Sequence, residues 1–268
     1  MKRRKIVGVI QSRMGSERLP GKALLTMHGK TAIELICLRM QSVALIGEVV
    51  LATADTAEND PLALHAKGLG LRVVRGSETD LIERMKQVVT ETGADALLVI
   101  TADCPVVDPM MMTELLKVYA QSPDAYAYYT NAFPLTYPDG LDLNLIPTST
   151  LMKVDKDITD VFYREWFISY LREHPELFAI YNLTSGIDFP SNLRLTVDYK
   201  EDLDLISALL ESLKEKGPLV SFQEIFEYTQ AYPEIKKLNA NRIDLVIERG
   251  IKGGAYHKLV KKHHGIQD

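Results

Sequence analysis

The sequence predicts a three-layer α/β sandwich with a mostly parallel central sheet, and two observations carry that reading. Four short apolar runs rich in β-branched residues recur through the first part of the chain, and each is followed by a segment whose apolar residues repeat at helical spacing. Strand and helix in alternation build parallel pairs joined by right-handed crossovers, which leave helices on both faces of one sheet.

The elements follow in order. KIVGVI (5–10) is the first strand, and TAIELICLRMQSVA (31–44) is the first helix. EVVLAT (48–53) and a helix over 60–68 come next, then LRVVRG (71–76) and ETDLIERMKQVVTET (78–92). ALLVIT (96–101) is the fourth strand, and a helix over 109–121 starts after Asp108-Pro109, a good helix opening because proline lacks only an amide that would be idle there. Beyond 121 the pattern shortens to AYAYYT (125–130) and LDLNLIP (141–147), separated by the turn signal YPDG. The amphipathic stretch DVFYREWFISYLREH then precedes PELFAIYNL and LRLTVDY, so 121–198 reads as strands with one excursion that supplies an acceptor side. DLDLISALLESLKEK, SFQEIFEYTQ and EIKKLNANRIDLVIERG read as helices across the end of the sheet. Without a repeat or linker, the expectation is a domain over 1–210 with a helical extension, 211–268, packed on it.

Composition removes several function classes. Hydrophobic residues at 46% with 25% charged exclude wholesale disorder. No apolar run reaches the roughly 18 residues of a bilayer span, and the start MKRRKIVGVIQSR is too short in apolar residues for a signal peptide. A net charge of -5 argues against nucleic acid as partner. The basic tail KLVKKHHGIQD reads as a solvated end, with His263 and His264 lacking a third ligand at helical spacing. Cys37 and Cys104 make neither a disulfide framework nor a zinc site, so both are expected reduced, in the cytoplasm.

The chemistry concentrates where strands end. QSRMGSERLPGK follows the first strand, and its small residues Gly15, Ser16 and Gly21 can turn backbone amides toward one anion. Arg13, Arg18 and Lys22 are interleaved with them, more positive charge than a structural turn needs. The spacing is neither that of a Walker loop nor G-x-G-x-x-G. The loop therefore reads as a phosphate site.

The run QSRMGSERLPGKAL resembles the signature of the cytidylyltransferase family of the spore-coat polysaccharide biosynthesis type, related to the enzymes that make CMP-sialic acid and CMP-Kdo. RGSETDLIERM, ITADCPVVDP, DGLDLNLI and LRLTVDYKEDLDLI extend the likeness over roughly residues 5–210. The resemblance implies a Rossmann-like fold of the nucleotide-diphospho-sugar transferase type. Departures are Ser12 and Glu17 in the first motif, and Arg164-Glu165-Trp166-Phe167 where the family has Arg-Glu-His-Val.

Asp103, closing an apolar strand in TADCP, reads from context alone either as a turn aspartate or as a Mg2+ ligand. The resemblance favours the metal and adds Asp198, in LRLTVDY, as its second carboxylate. Asp202 and Asp204 read as helix-start charges. Gln11 and Ser12 are expected to face the nucleobase, with Arg75 and Ser77 at the border of that pocket. Asp55 is either a base or ribose contact or a plain loop carboxylate. Asp139 reads as a turn residue, Asp142 as an acceptor contact, and Trp166 as a packing residue.

The implied activity is attack by an acceptor oxygen on the α-phosphorus of CTP, with pyrophosphate leaving and Mg2+ as cofactor. The acceptor class is a sugar or sugar acid, for surface polysaccharide or glycan synthesis. A glycosyltransferase on the same fold would need an Asp-x-Asp motif that Asp142-Leu143-Asn144 does not supply, and a catalytically silent nucleotide-binding protein would release no pyrophosphate. The excursion over 160–172 is a candidate homodimer contact.

Overall fold

Ile6 and Ile10 turn into one buried apolar cluster and Val7 and Val9 into another. That alternation makes Ile6–Gln11 (β1) a central strand covered on both faces. The computed structural model describes residues 4–121, 124–185 and 193–243. After β1 come a short hairpin, β2 (Thr26–Met27) and β3 (Lys30–Thr31), then α1 (Ala32–Gln41), β4 (Glu48–Ala54), α2 (Asp60–Gly68) and β5 (Arg72–Gly76). α3 (Leu81–Thr92), β6 (Ala96–Thr101), α4 (Pro109–Gln121), β7 (Ala127–Thr130), β8 (Asn144–Pro147) and α5 (Thr148–Asp157) follow. The described chain ends with α6 (Val161–Glu165), α7 (Phe167–Glu173), β9 (Ala179–Asn182), α8 (Lys200–Ser212) and α9 (Phe222–Ala231).

Among the described residues a seven-stranded sheet runs β5-β4-β1-β6-β8-β7-β9. Only β8 opposes its neighbours, pairing antiparallel with β6 and β7. α1, α2, α4, α8 and α9 bury Ile36, Leu62, Leu116, Leu205 and Ile225 on one face, and α3, α5, α6 and α7 bury Met85, Leu151, Tyr163 and Phe167 on the other. The expected three-layer α/β sandwich is thereby met. Each such buried Ile, Leu or Phe contributes about 1.5–3 kcal/mol. Among the described residues no helix is long and apolar enough to cross a membrane.

α2, β6 and α4 have the bounds the sequence predicts. α1 and α3 are shorter than predicted because caps set them. Thr31 accepts from the Glu34 amide and Asp80 from the Glu83 amide, so the helices begin at Ala32 and Leu81, one and three residues later than predicted. The second half differs more. TSTLMKVDKD forms α5, which the sequence reading left among strands, although Leu151, Val154 and Ile158 bury one side of it. The amphipathic excursion breaks at Trp166 (φ -116°, ψ 42°) into α6 and α7. LRLTVDY is not a strand of the sheet and makes one isolated bridge, Arg194 with Asp139. In EIKKLNANRIDLVIERG the described part forms 3-10 turns over Pro233–Leu238 and Ala240–Arg242 rather than an α-helix. The remainder, with His263 and His264, lies outside the described residues.

Candidate active site

β1 ends at Gln11, whose register partners are Ala52 of β4 and Thr101 of β6. From here the chain order runs outward in both directions, β4 then β5 on one side and β6 on the other. In an open α/β sheet such a switch point opens the ligand crevice beyond the carboxyl ends of the strands. Gln11 and Ser12 are pinned at its floor, since the Ser12 amide donates to Ala52 O (3.2 Å) and Gln11 O accepts from Ala102 (3.1 Å).

The loop after β1 is held at both ends. The Met14 amide donates to the Asn59 side chain (2.9 Å), and Gly21, at φ 67°, starts the 3-10 turn Lys22–Leu24. The left-handed backbone at Gly21 is one that a side chain would strain. The Ser16 amide is turned onto Met14 O (2.8 Å), and Gly15 would meet only Glu58 at 3.7 Å if it carried a Cβ. The positive character of the loop therefore comes from its side chains.

Two of those side chains reach carboxylates from distant parts of the sequence. Lys22 donates to Asp103 Oδ2 (2.9 Å) and Asp198 Oδ1 (2.8 Å), and Arg18 donates to the same Asp198 oxygen (2.7 Å). Burial works to discharge the Lys22 ammonium, but the two carboxylates outweigh it and hold its pKa above the ordinary value. Asp103 Oδ1 also accepts from Thr101 Oγ1 (2.5 Å). A backbone bond explains the meeting, because the Val197 amide donates to Asp103 O (2.8 Å) and lays 193–198 along the turn after β6. Arg13 faces a different partner, Glu165 of α6, at 3.5 Å.

Behind Asp198 sits a group that the sequence reading did not assign. Arg194, 3% exposed, donates to Asp139 (2.6 Å), Asp198 Oδ2 (3.1 Å) and Asp202 (3.1 Å). Its burial lowers its hold on the proton, and the carboxylates, Asp139 foremost, more than restore it. Asp139 is thus more than a turn residue. Asp202 does cap α8, accepting from the Asp198 and Tyr199 amides (both 3.1 Å), yet it is fully buried and also anchors Arg194. Asp204 stays outside, paired with Lys200. The missed signal was the spacing Arg194, Asp198, Asp202: the guanidinium and its two partners follow at intervals of four across the entry to α8.

On the acceptor side, the Asn131 amide brackets residue 142 by donating to Leu141 O and accepting from the Leu143 amide (both 2.8 Å). Leu141 and Leu143 are buried in one cluster with Cys104, and Asp142 between them is close enough for its charge to help raise that thiol, after burial itself and Asp103. Asp55, Arg75 and Ser77 gather at the carboxyl ends of β4 and β5, on the same edge of the sheet. Arg75 pairs with Asp55 (3.0 Å) and Asp60 (2.6 Å) at the outer strands, and Ser77 Oγ accepts from the Asp80 amide at the entry to α3. Arg84, which the sequence reading passed over, is 3% exposed, and its pKa is lowered by burial first and then by the nearby Arg13. Arg164 is a structural tie between Asp80 and Asp155, whereas Trp166 is 39% exposed.

Among the described residues no three His, Cys, Asp or Glu side chains converge as ligands for a metal. Asp103 and Asp198 remain a pair, and Cys37 and Cys104 are free and buried.

Known proteins share this architecture. The chain is 29% identical over 235 residues to the spore coat polysaccharide biosynthesis protein SpsF of Bacillus subtilis (strain 168), covering 85% of this chain and 95% of that protein. The 3-deoxy-manno-octulosonate cytidylyltransferase of Geobacter sulfurreducens is 33% identical over 121 residues, 44% of this chain and 46% of its own. The solved structure of a cytidylyltransferase from Leptospira borgpetersenii matches with a TM-score of 0.82 at 27% identity, over 87% of this chain and 97% of that one. The fold is accordingly of the nucleotide-sugar transferase type. A family model described as cytidylyltransferase matches residues 7–245, taking in the loop after β1, the Asp103 turn and the 193–198 segment together, and the chain belongs to that family of nucleotidyltransferases.

Proposed function

We propose that the protein transfers CMP from CTP to a sugar or sugar-acid acceptor with release of pyrophosphate, uses Mg2+, and serves surface polysaccharide or glycan synthesis. The observation that carries this reading is the contact of Lys22 with both Asp103 and Asp198 at the switch point of the sheet. A phosphate-seeking cation and two acidic side chains from separate segments meet where a triphosphate would lie.

The acidic pair fits Mg2+ by its donor chemistry. Mg2+ is commonly held by one or two carboxylates, with phosphate oxygens and water completing its shell. Asp103 and Asp198 would hold it, and when bound it supplies Lewis acidity and a template for the phosphates. The chain's own groups do the rest. Triphosphate oxygens compete with the carboxylates for Lys22 and Arg18, and with Glu165 for Arg13, so three cations turn from the protein's acids to the substrate. Gln11 and Ser12 offer an amide and a hydroxyl to the base from the rigid floor of the crevice. Asp142 orients an acceptor hydroxyl. The hydroxyl oxygen attacks the α-phosphorus in line and releases its proton to water. The bond to the bridging oxygen breaks as the new one forms, and pyrophosphate departs with the electron pair.

The test is pyrophosphate release with CTP, UTP, ATP or GTP, each with Mg2+, against a panel of sugar acids, neutral sugars and sugar phosphates. Release with CTP and one acceptor class is the expected result. Release that is equal with all four nucleotides, or CTP binding with no release on any acceptor, would overturn the reading in its first or second part.

A further inference from the structure

The two oxygens of Asp198 have different partners. Oδ2 accepts from Arg194 Nη2 at 3.1 Å, on the buried side, whereas Oδ1 accepts from Lys22 and Arg18, on the loop side. A carboxylate turns easily about its last torsion, which has a broad two-fold well, so a division of this kind needs something to fix the plane. Arg194 can do that because its own plane is fixed first. Nη1 holds Asp139 at 2.6 Å, and Nε and Nη2 hold the two oxygens of Asp202 at 3.1 and 3.3 Å. Asp202 is in turn held by the Asp198 and Tyr199 amides and by Asn239 Nδ2 at 2.9 Å. Behind Asp139, Gly140 stands at φ 104° with the 195–196 backbone so near that a Cβ would lie 2.2 Å from Thr196 N.

The charge count points the same way. Asp139 and Asp202 already more than neutralise Arg194, so Asp198 is not needed to make burial of the guanidinium tolerable. A third carboxylate adds negative charge that must be met from outside, and Lys22 and Arg18 meet it in this structure. If the loop cations turn to a triphosphate, Asp198 Oδ1 and Asp103 Oδ2 give up the Lys22 ammonium between them.

We propose that Arg194 is a positioning residue that holds Asp198 by one oxygen and thereby presents the other, with Asp103, to the divalent cation accompanying the nucleotide. This rests on the nucleotidyl-transfer reading above. Arg194 touches neither substrate nor metal. It acts through Asp198, as groups behind a ligand do when they fix its orientation, and their loss costs about 10- to 100-fold in metal affinity.

The experiment compares wild type, Arg194→Lys, Asp139→Asn and Asn239→Ala. Two dissociation constants are measured for each: CTP in EDTA by thermal shift, and Mn2+-CTP by water proton relaxation, which responds to protein-bound Mn2+. The expected result is a Mn2+-CTP constant about 10-fold weaker or more in Arg194→Lys, with metal-free CTP binding within about 3-fold of wild type. Asp139→Asn, which loosens the guanidinium from the far side, gives the same pattern in weaker form. Asn239→Ala lowers the melting temperature, since it removes a buried partner of Asp202, but Asp202 keeps the Asp198 and Tyr199 amides, so the Mn2+-CTP constant moves less than in Asp139→Asn and the metal-free constant stays as in wild type. If Arg194→Lys does not fold, Asp139→Asn against Asn239→Ala decides. Unchanged Mn2+-CTP binding in the folded Arg194 or Asp139 variant, or equal loss in Asn239→Ala, overturns the positioning role while CMP transfer stands. Absence of Mn2+ from the wild-type CTP complex overturns both the metal pair and the role of Arg194.

Discussion

Replacing Lys22 by methionine removes an ammonium and leaves a side chain of similar length. In the nucleotide-free protein that ammonium occupies the space between Asp103 and Asp198, so a divalent cation entering without nucleotide has to displace it. The bonds are 2.9 and 2.8 Å long, and the side chains are 14%, 25% and 9% exposed for Lys22, Asp103 and Asp198. Hydrogen bonds to charged groups are worth about 1.5–3 kcal/mol each. Because Asp103 is a quarter exposed, water screens its share, and one such bond is the better guide to the whole contact. At 1.36 kcal/mol per tenfold, about 1.5–3 kcal/mol corresponds to a gain of about 10- to 150-fold in Mn2+ affinity for the Lys22→Met protein without nucleotide. The assay is titration of Mn2+ followed by the paramagnetic resonance signal of the free ion. On the proposed reading the same variant should bind CTP more weakly and lose most of its turnover, since a phosphate partner is gone. Its melting temperature falls in EDTA, where two acids face each other, and recovers with Mn2+ by more than wild type does, as binding to the folded state alone requires. Nucleotide-free Lys22→Met that binds Mn2+ no tighter than wild type would show that the ammonium does not stand in for the metal.

Other outcomes follow from single features. Gly140→Ala should cost about 3 kcal/mol or more and melt about 6–12 °C lower, because its Cβ would enter the 195–196 backbone, while Gly15→Ala, with only a flexible Glu58 nearby, melts as wild type; equal melting of the two would contradict this. CTP binding should change the fluorescence of Trp166, the one tryptophan, as Arg13 leaves Glu165 next to it; a flat titration with bound CTP would place Arg13 off the phosphates. Burial, aided by Glu34, pushes the Cys37 thiol up to about 11 from an ordinary 9.0. The folded chain therefore keeps that proton more tightly than the unfolded one. Its effect on stability is flat below about pH 9 and unfavourable as pH rises from there toward about 11. Neither cysteine should react with a thiol reagent at pH 8 until the protein unfolds, and rapid labelling of the native protein would refute the packing of α1 over Cys37 or of the turn after β6 over Cys104.

The first half of the chain was legible because each signal in it is local. Apolar runs, a helix-opening Asp108-Pro109 and a basic loop between strand and helix need no distant partner to be read. Asp103 and Lys22 could be named from the sequence, but their contact with Asp198 could not, since it depends on the Val197 amide finding Asp103 O across a long stretch of chain. LRLTVDY shows why period alone misleads. Leu193, Leu195 and Val197 enter the apolar core while Arg194 and Asp198 enter the charged cluster, so the segment alternates as a strand does without joining the sheet. The pattern reports extended backbone between two environments, and only the ladder makes a strand. For Arg75 and Ser77 the sequence placed residues at the carboxyl end of the sheet, but the partners they take there, Asp60 and the α3 entry, are set by side-chain geometry that no local pattern carries.

The bond between Val197 and Asp103 has an evolutionary consequence. It closes a chain excursion whose two ends carry Asp103 and Asp198 and whose middle, on the proposed reading, carries the acceptor side. On the proposed reading, substitutions or insertions between α4 and Leu193 that spare Asp139 and Gly140 can reshape what the enzyme accepts while the ends stay fastened, leaving nucleotide chemistry as it was. Relatives built on this plan can therefore diversify their products by exchanging one contiguous piece of gene.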